Sequence, residues 1–337
     1  MRIFVTGGAG YVGSACLRLL LAEGHDAIAF DNLSKGHREA VPSGRLMIGD
    51  INDTPALVRA MKDHSSEAVM HFAAATDVGE SVRNPDFHYG NNIGGTLSLL
   101  RAMRDAGIRR MLFSSSCATY GDNPKPPMNE QAEQIPCSPY ARTKLAVEWL
   151  IRDFAQAYGL GFTLLRYFNA AGADADGEHG EDHDPELHLI PLILQVAAGK
   201  RGTIRFFGDD YPTPDGTCIR DYVHTADLAS AHLLAIKATT SSTADVYNVG
   251  TGQGQSVKQV HAACEHVTGR SIGYEVVARR PGDAPALVAD STKLMTQLGW
   301  KPKYLDIGPI IATAWKWHQR FPNGYRDKIA QSPAVSG

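Results

Sequence analysis

The amino-acid sequence predicts an α/β protein, built on a doubly wound parallel sheet with a smaller mixed α/β lobe. Short apolar runs alternate with amphipathic stretches through the first half of the chain, which is the pattern of parallel strands joined by helices. A glycine-rich turn follows the first apolar run and opens the first amphipathic stretch. The length of 337 residues suits one large domain with an appended lobe.

The first two predicted strands enclose a predicted helix. Arg2–Thr6 is a short apolar run, and Asp26–Phe30 is the next. Between them, Tyr11–Glu23 carries apolar residues at three- and four-residue spacing, which indicates a helix, and Gly24 follows as a left-handed cap. The same reasoning predicts, in chain order, a helix near Thr54–Asp63, a strand at Ala68–Phe72, a helix near Gly95–Ala106, a strand at Arg110–Ser114, a helix from Pro139 to about Tyr158 and a strand at Phe162–Tyr167.

The regular alternation weakens after the last of these strands. Residues 170–188 and 209–216 are rich in Gly and Asp and are predicted as loops. Residues near 217–248 are expected to return to the sheet as a strand or helix. A ligand cleft is expected between the sheet domain and the smaller lobe. We therefore predict two domains, the first from residues 1–168 with about 217–248, the second from about 169–216 with 249–337.

Charge and apolar content argue against two classes of partner. Lys plus Arg number 33 and Asp plus Glu number 36, a net charge of −3, so no basic surplus indicates nucleic-acid binding. No stretch approaches the ~18 apolar residues of a membrane span, and the opening apolar run is too short for a signal peptide. We expect a cytoplasmic protein that has neither nucleic acid nor membrane as a partner.

The cysteines and histidines predict no metal site. The five cysteines are odd in number and none belongs to a C-x-x-C pair, which argues against a disulfide framework and a zinc ribbon. The acidic stretch 174–188 also contains His179, His183 and His188, but without a recognised spacing of metal ligands. We predict a solvated loop there and no bound metal.

Three glycines between the first strand and the first helix predict a dinucleotide site. Gly7, Gly10 and Gly13 form a G-x-x-G-x-x-G turn, and Asp31 ends the second strand 18 residues after Gly13. Glycines allow a tight turn and a close approach of the backbone to a pyrophosphate at the helix N-terminus. Asp31 can accept hydrogen bonds from a ribose. No arginine follows it directly to bind a 2′-phosphate, so this Rossmann-like pattern favours NAD over NADP.

A tyrosine and a lysine four residues apart form the candidate catalytic pair. Tyr140 and Lys144 share one face of their predicted helix, where the lysine charge can lower the pKa of the phenol toward that of a general base. The serine run 114–116 ends a predicted strand at the carboxyl edge of the sheet, where α/β folds bind ligands. The Ser116 hydroxyl is therefore expected to meet the phenol.

These residues together resemble the extended short-chain dehydrogenase/reductase family. The similarity runs from about residue 1 to about residue 325, and it is closest to the UDP-glucose 4-epimerases. The segments that carry it are HFAAATDVGESV (71–82), FSSSCATYGD (113–122), SPYARTK (138–144), LLRYFNAAGA (164–173), FFGDDYPTPDGTCIRDYVH (206–224), YNVGTG (247–252) and RRPGDAPALVAD (279–290).

The resemblance implies a tightly held NAD that oxidises the 4-hydroxyl of a UDP-sugar and then returns the hydride to the other face. Tyr140 would act as the base, Lys144 would keep the phenol acidic and hold the nicotinamide ribose, and Ser116 would hydrogen-bond the reacting oxygen. A homodimer is also implied. The implied NAD contacts are Gly7, Gly10, Tyr11, Val12, Gly13, Asp31, Asn32, Ser34, Asp50, Ile51, Phe72, Ala73, Ala74, Asn92, Ser114, Tyr140, Lys144 and Tyr167.

The implied substrate contacts lie mostly in the second half of the chain. Arg220 and Arg280 would bind the diphosphate and Asp283 a ribose, since the planar fork of arginine can donate two parallel hydrogen bonds to phosphate oxygens. The implied set is Ser116, Tyr140, Phe168, Asn169, His188, Leu189, Phe207, Arg220, Tyr222, Arg280, Asp283 and Leu287.

The sequence departs from the family pattern at three of its positions. Thr76 stands where lysine is common near the cofactor, and His188 stands where asparagine is common. Leu287 stands where a tyrosine restricts some members to non-acetylated sugars and a smaller residue admits N-acetylhexosamines. UDP-glucose/UDP-galactose, a UDP-N-acetylhexosamine and a UDP-pentose therefore all stay open as substrates.

Two other functions of the same fold are disfavoured by the residues at the candidate site. Nucleotide-sugar 4,6-dehydratases carry Thr-Asp-Glu where this chain has Ser116-Cys117-Ala118, so the acid and base that eliminate water are missing. A non-catalytic NAD-binding sensor is the other alternative. Such relatives have lost the catalytic tyrosine, whereas Tyr140, Lys144 and Ser116 are all present here.

Overall fold

A computed structural model describes residues 1–121, 125–280 and 283–331. Asp122, Pro281, Gly282 and residues 332–337, which belong to segments used above, lie outside the described residues. The strands are β1 (Arg2–Thr6), β2 (Asp26–Asp31), β3 (Leu46–Ile48), β4 (Ala68–His71), β5 (Arg110–Ser116), β6 (Gly161–Tyr167), β7 (Asn169–Ala171), β8 (Ile204–Phe207), β9 (Ile219–His224), β10 (Ala244–Val249), β11 (Gly254–Ser256), β12 (Tyr274–Val277) and β13 (Ala286–Leu287).

The helices cover both faces of the sheet and build much of the lobe. Short 3-10 turns form at Arg38–Ala40 and Cys117–Tyr120, and a π-helical turn forms at Gly90–Gly94. The α-helices are α1 (Tyr11–Ala22), α2 (Thr54–Asp63), α3 (Val78–Arg83), α4 (Pro85–Tyr89), α5 (Gly95–Ala106), α6 (Pro139–Tyr158), α7 (Leu189–Ala197), α8 (Thr225–Ala238), α9 (Val257–Thr268), α10 (Thr292–Leu298), α11 (Ile307–Arg320) and α12 (Tyr325–Gln331).

The large sheet has the strand order β10-β6-β5-β4-β1-β2-β3, and its neighbouring strands pair in parallel. The order reverses at β1, so the chain leaves β1 and β4 in opposite directions and opens a crevice at their carboxyl ends. The predicted fold class, a Rossmann-like doubly wound parallel sheet, is confirmed. The elements predicted up to Tyr167 are found with bounds within two residues of those observed.

Alternating side chains of β1 explain why helices cover both faces. Ile3 and Val5 pack with α1 and α8, while Phe4 points to the other face and packs with α2, α5 and α6. All three side chains are fully buried. A strand buried on both faces reads as a continuous apolar run, which is why β1 could be recognised in the sequence.

The second half of the chain forms a smaller mixed lobe. Its four-stranded sheet has the order β11-β9-β13 with β7 on β9, and β8 pairs with β12 in a separate ribbon. Helices α7, α9 and α11 pack on these strands around a core of their own. Between β9 and β11 the chain returns to the large sheet through α8 and β10. The predicted division into two domains at about residue 168 stays a prediction.

Several short elements were not predicted. The loop prediction for residues 170–188 is wrong at its start, because 170 and 171 belong to β7. This strand is only three residues long and forms because β9, some fifty residues later, pairs with it. Among the described residues, no helix combines the length and the apolar character that crossing a bilayer requires.

Candidate active site

The glycines of the turn after β1 differ in whether the fold itself requires them. Gly7 has φ +72°, and a Cβ there would lie 2.5 Å from the Ala73 nitrogen. A Cβ on Gly13 would lie 2.1 Å from the Gly7 carbonyl oxygen. The fold itself therefore requires glycine at positions 7 and 13. At Gly10 a Cβ would meet only the Gly7 oxygen, at 3.4 Å, so the fold alone does not explain this glycine.

The N-terminus of α1 is open to an anion. Gly10 is its N-cap and provides no side-chain hydrogen bond, so the first backbone N–H groups of the helix have no capping partner. Unpaired amides and the positive end of the helix dipole bind phosphate. Together with the space above Gly10, this arrangement fits the pyrophosphate of NAD at Tyr11, Val12 and Gly13.

Asp31 joins the loops that follow β1 and β2. Its carboxylate accepts hydrogen bonds from the backbone N–H groups of Ala9 at 3.0 Å and Leu33 at 2.9 Å. Burial raises the pKa of Asp31, although these two amides oppose the shift. Nearby, the Asn32 amide donates to Asp50 Oδ2 at 2.9 Å. Three of the residues predicted to contact NAD, Asp31, Asn32 and Asp50, thus form a connected edge of the crevice.

Asn92 fastens the loop after β4 to the helix that carries the catalytic pair. Its Oδ1 accepts from the Ala75 N–H at 2.7 Å, and its Nδ2 donates to the Ala75 carbonyl at 3.0 Å and to Thr143 Oγ1 at 2.9 Å. The Ala73 N–H donates to the Thr6 carbonyl at 3.1 Å, which fixes the other end of the loop. The Asn92 side chain therefore acts as a clamp that holds the loop and the helix together, and its amide already has hydrogen-bond partners.

The remaining predicted cofactor residues lie along the same carboxyl edge of the sheet. The Ser114 hydroxyl donates to the Tyr167 hydroxyl at 3.1 Å, which links the ends of β5 and β6. Ser34 follows β2, Asp50 and Ile51 follow β3, and Phe72, Ala73 and Ala74 follow β4.

Ser116, Tyr140 and Lys144 are brought together as predicted from the sequence. Tyr140 lies in the first turn of α6, whose N-cap Ser138 accepts a hydrogen bond from the Ala141 N–H. The Ser116 hydroxyl lies near the Tyr140 phenol and opposes the rise of its pKa. Lys144 Nζ donates to the Ser114 carbonyl at 2.9 Å and lies 6.0 Å from the centre of the Tyr140 ring.

Burial acts against the charged forms of both catalytic groups. It raises the pKa of Tyr140 above its ordinary value, while the Ser116 hydrogen bond opposes the shift. It also lowers the pKa of Lys144 to about 7, and the carboxylate of Glu148 opposes that shift. The predicted lowering of the Tyr140 pKa is therefore wrong for this structure, because burial raises it; Glu148 is the group that favours the charged form of Lys144.

Glu148 and Arg166 form a buried ion pair beneath the catalytic residues. Glu148 accepts from Ser115 Oγ at 2.6 Å, from Arg166 Nε at 2.9 Å and from Arg166 Nη2 at 2.6 Å. Arg166 Nη1 also donates to the Tyr120 hydroxyl at 3.1 Å. The ion pair between Glu148 and Arg166 was not predicted from the sequence. The available signal was an acidic residue one helical turn after Lys144, on a face expected to be buried.

Five predicted substrate residues converge on the small sheet. Asn169 of β7 lies opposite Tyr222 of β9, and Arg220 of β9 lies opposite Leu287 of β13. Arg220 Nη2 lies 3.6 Å from Asp283 Oδ1. Residues distant in the sequence are thus joined by strand pairing into one surface that carries an arginine, an amide and a carboxylate.

Apolar packing connects the small sheet with the end of β5. Leu287 packs on a cluster that includes Cys117 and Phe168, the residues that directly follow Ser116 and Tyr167. The guanidinium carbon of Arg280 lies 4.2 Å from the centre of the Phe207 ring. The predicted substrate residues therefore border the catalytic strand end.

His188 has partners that the sequence did not predict. It is the N-cap of α7, directly before Leu189, and its Nδ1 lies 2.5 Å from Glu181 Oε1. Burial lowers the pKa of His188, but the Glu181 carboxylate outweighs burial and raises it above the ordinary value. The prediction of a solvated loop is wrong in part, because Glu181 and His179 are buried.

A glycine turn at the switch point of a parallel sheet, with Ser116 at the end of β5 and Tyr140 and Lys144 on the neighbouring helix α6, is typical of a dinucleotide-dependent enzyme. The chain belongs to the NAD dependent epimerase/dehydratase family, whose model matches residues 3–250. It is 48% identical over 330 residues to a UDP-glucose 4-epimerase of Lactobacillus helveticus, covering 97% of this chain and 100% of that protein. The predictions of the family and of NAD are confirmed.

Two solved structures are similar over nearly their whole length. The crystal structure of UDP-glucose 4-epimerase from Brucella ovis in complex with NAD has a TM-score of 0.90 and 48% identity, covering 93% of this chain and 97% of that one. The structure of UDP-glucose 4-epimerase from Bifidobacterium longum in complex with NAD+ and UDP has a TM-score of 0.92 and 36% identity, covering 96% and 100%.

The two kinds of glycine predict different effects of alanine. Gly13→Ala is expected to lower the free energy of unfolding by about 3 kcal/mol, because its Cβ overlaps the Gly7 carbonyl. Gly10→Ala is expected to change it by less than about 1 kcal/mol and to weaken NAD binding at least about tenfold. Urea unfolding of cofactor-free protein and calorimetric titration with NAD measure both. Wild-type NAD affinity in Gly10→Ala would contradict the role of this glycine.

Burial of Lys144 predicts a pH-dependent stability. Because its pKa falls from 10.5 to about 7, the charged side chain opposes folding fully below pH 7, and this penalty disappears as the pH rises toward 10.5. In cofactor-free protein, Lys144→Met is expected to raise the free energy of unfolding by about 2 kcal/mol at pH 7, and by progressively less toward pH 10. Urea unfolding over this pH range measures the difference. Exposed Lys62→Met is the control, and an equal pH dependence in both variants would refute the explanation.

Proposed function

We propose that the protein interconverts UDP-glucose and UDP-galactose by epimerisation at carbon 4 of the sugar, through a 4-keto intermediate. The observation that carries the proposal is the grouping of Ser116, Tyr140 and Lys144 at the end of β5, beside the glycine turn and a surface that carries Arg220. The name shared by the relatives supports the same reaction. When bound, NAD supplies reversible two-electron oxidation of the sugar.

Each catalytic side chain has a distinct task in the proposed reaction. Tyr140 exchanges a proton with the oxygen on carbon 4, and the Ser116 hydroxyl orients that oxygen through a hydrogen bond. Lys144, held by the Ser114 carbonyl, supplies the positive charge that favours the phenolate. The same groups serve oxidation and reduction, because the second step reverses the first on the other face of the sugar.

In this proposal the protein binds its substrate mainly through the nucleotide half. Arg220 and Arg280 bind the diphosphate, Asn169 contributes an amide, and Asp283 accepts from a ribose hydroxyl. The relative from Bifidobacterium longum has UDP bound in its structure, which supports a uridine nucleotide as the ligand. Strong contacts to the nucleotide leave the sugar free to turn between its oxidation and its reduction.

Dehydration is disfavoured by the residues that follow Ser116. Eliminating water needs an acid and a base beside the catalytic tyrosine. Here Cys117 is buried, which raises the pKa of its thiol to about 12, and Ala118 cannot ionise. The site therefore retains oxidation and reduction at carbon 4 alone.

Turnover of UDP-galactose tests the proposed reaction. The purified protein is expected to form UDP-glucose with NAD, and Tyr140→Phe is expected to lower the rate by about 10²–10⁴ while the bound NAD stays unchanged. Tyr158→Phe, at the exposed end of the same helix, is the matched control and should keep full activity. UDP-xylose and UDP-N-acetylglucosamine are assayed in parallel. Faster turnover of either would replace the hexose as substrate, and no turnover of any would overturn the proposal.

We also propose that two chains associate through α3, α4 and α6. Val78, Val82, Phe87, Tyr89 and Trp149 are exposed apolar side chains on these three neighbouring helices, and Trp149 is 59% exposed. An apolar surface of this kind is typical of a protein interface.

Light scattering after gel filtration tests the association. The wild type is expected to elute as a dimer and Trp149→Asp as a monomer, because a carboxylate cannot be buried unpaired in an apolar interface. Leu305→Asp, which changes an exposed leucine outside α3, α4 and α6, is the control and should remain a dimer. A monomeric wild type would refute this interface.

We further propose a cytoplasmic location. All five cysteines are free, as expected for a reducing compartment. Fractionation of cells that produce the protein tests this location, and recovery from an extracytoplasmic fraction would contradict it.

A further inference from the structure

The loop between β7 and α7 brings together four side chains that bear metal-binding atoms. Glu181, His183, Glu186 and His188 each offer one such atom, and these four atoms lie within 4.8 Å of one another. Their spacing in the sequence did not identify them, because the loop has no regular secondary structure that would show which residues lie close together. Folding of the loop against α1, α7 and α11 creates the cluster.

Both imidazole rings present Nδ1 to the same carboxylates. His183 Nδ1 lies 3.3 Å from Glu181 Oε1 and 3.7 Å from Glu186 Oε2. His188 Nδ1 lies 2.5 Å from Glu181 Oε1 and 3.6 Å from Glu186 Oε1. Tetrahedral Zn²⁺ with bonds of about 2.0–2.1 Å holds neighbouring ligand atoms about 3.4 Å apart. The separation of His183 Nδ1 from Glu181 already has this size, the separations from the two Glu186 oxygens are slightly longer, and the shortest separation has to lengthen.

We propose that Glu181, His183, Glu186 and His188 form a binding site for a divalent first-row transition cation, with Zn²⁺ as the best match. Two imidazole nitrogens and two carboxylate oxygens are a donor set that suits Zn²⁺, whereas Mg²⁺ and Ca²⁺ prefer oxygen ligands alone. Two carboxylates also balance the charge of one divalent ion.

Two further observations point to a ligand in the cluster. His183 Nδ1 is shielded from solvent, yet it makes no well-aligned hydrogen bond to any described residue. A cavity of about 230 Å³ is lined by Glu181, His183 and Glu186, so an ion has space beside the donor atoms. An ion bound there would coordinate this nitrogen, whose present contacts are the ion pairs with Glu181 and Glu186.

Hydrogen bonds from α11 and from the loop backbone hold the ligands in place. The Trp317 Nε1–H donates to the Glu181 carbonyl at 2.9 Å, which fixes the loop on α11. Glu186 Oε1 accepts from the N–H groups of Leu187 and His188, both at 2.8 Å. Such contacts orient metal ligands before the ion arrives.

The site is compatible with the predicted nucleotide contact of His188, and this one statement rests on the proposed function. Coordination through Nδ1 fixes the proton of the neutral ring on Nε2. An Nε2–H group can donate to a diphosphate oxygen. The ion and the nucleotide can therefore use opposite edges of one ring.

Titration with ZnCl₂ tests the site directly. The full-length protein with its NAD is treated with EDTA, freed of chelator, and titrated against a chromogenic zinc indicator. One Zn²⁺ per chain is expected, and millimolar Mg²⁺ should not displace it. X-ray absorption at the zinc edge should show nitrogen and oxygen neighbours. Sulfur neighbours would assign the ion to cysteine and overturn the proposal, as would equal competition by Mg²⁺.

Isosteric variants locate the ion. Glu186→Gln keeps an oxygen for the two backbone N–H groups but removes the charge, and it is expected to weaken Zn²⁺ binding at least about tenfold. Glu265→Gln is the matched control, since Glu265 Oε2 lies 3.8 Å from His261 Nδ1 in an isolated pair on α9. His183→Gln serves as a second variant, and circular dichroism verifies that each variant folds. Wild-type affinity in both cluster variants, or no binding by the wild type, would overturn the site independently of any activity.

Discussion

The buried ion pair between Glu148 and Arg166 is the contact on which the candidate active site depends. It joins α6, which carries Tyr140 and Lys144, to β6, and the Ser115 hydroxyl extends it to β5. Both charges are almost fully buried, so either one alone would be strongly destabilising. The pair therefore fixes the helix on the strand ends and, through the charge of Glu148, favours the charged form of the catalytic lysine.

Five of the seven strands of the large sheet, β1, β2, β4, β5 and β6, could be predicted because local sequence patterns mark them. Strands such as β1 are buried on both faces and read as apolar runs, and the helices begin and end at caps and glycines that the sequence displays. In contrast, β7 and β13 contain three and two residues and exist only because β9 pairs with both. No local pattern marks such strands, since their stability comes from a partner far away in the sequence.

The candidate site divides in the same way. The three glycines, Asp31 and the Tyr140/Lys144 pair have fixed spacings, so they could be identified from the sequence alone. The role of Asn92 as a clamp and the burial of Glu181 could not, because both arise from tertiary contacts. The resemblance to a family implies which residues in the lobe bind the substrate. Strand pairing on β9 explains how four of them share one surface, and the contact of Arg220 with Asp283 adds a fifth.

The close contact between Gly13 and the Gly7 carbonyl has a consequence for how the cofactor is kept. The backbone of the cradle is packed against itself and against the loop at Ala73, so its shape is set during folding. A ligand that enters such a preorganised site loses little affinity to ordering of the chain. This favours a dinucleotide that stays in the protein through many cycles, reduced and reoxidised in place, over one that is exchanged with solvent at each turnover.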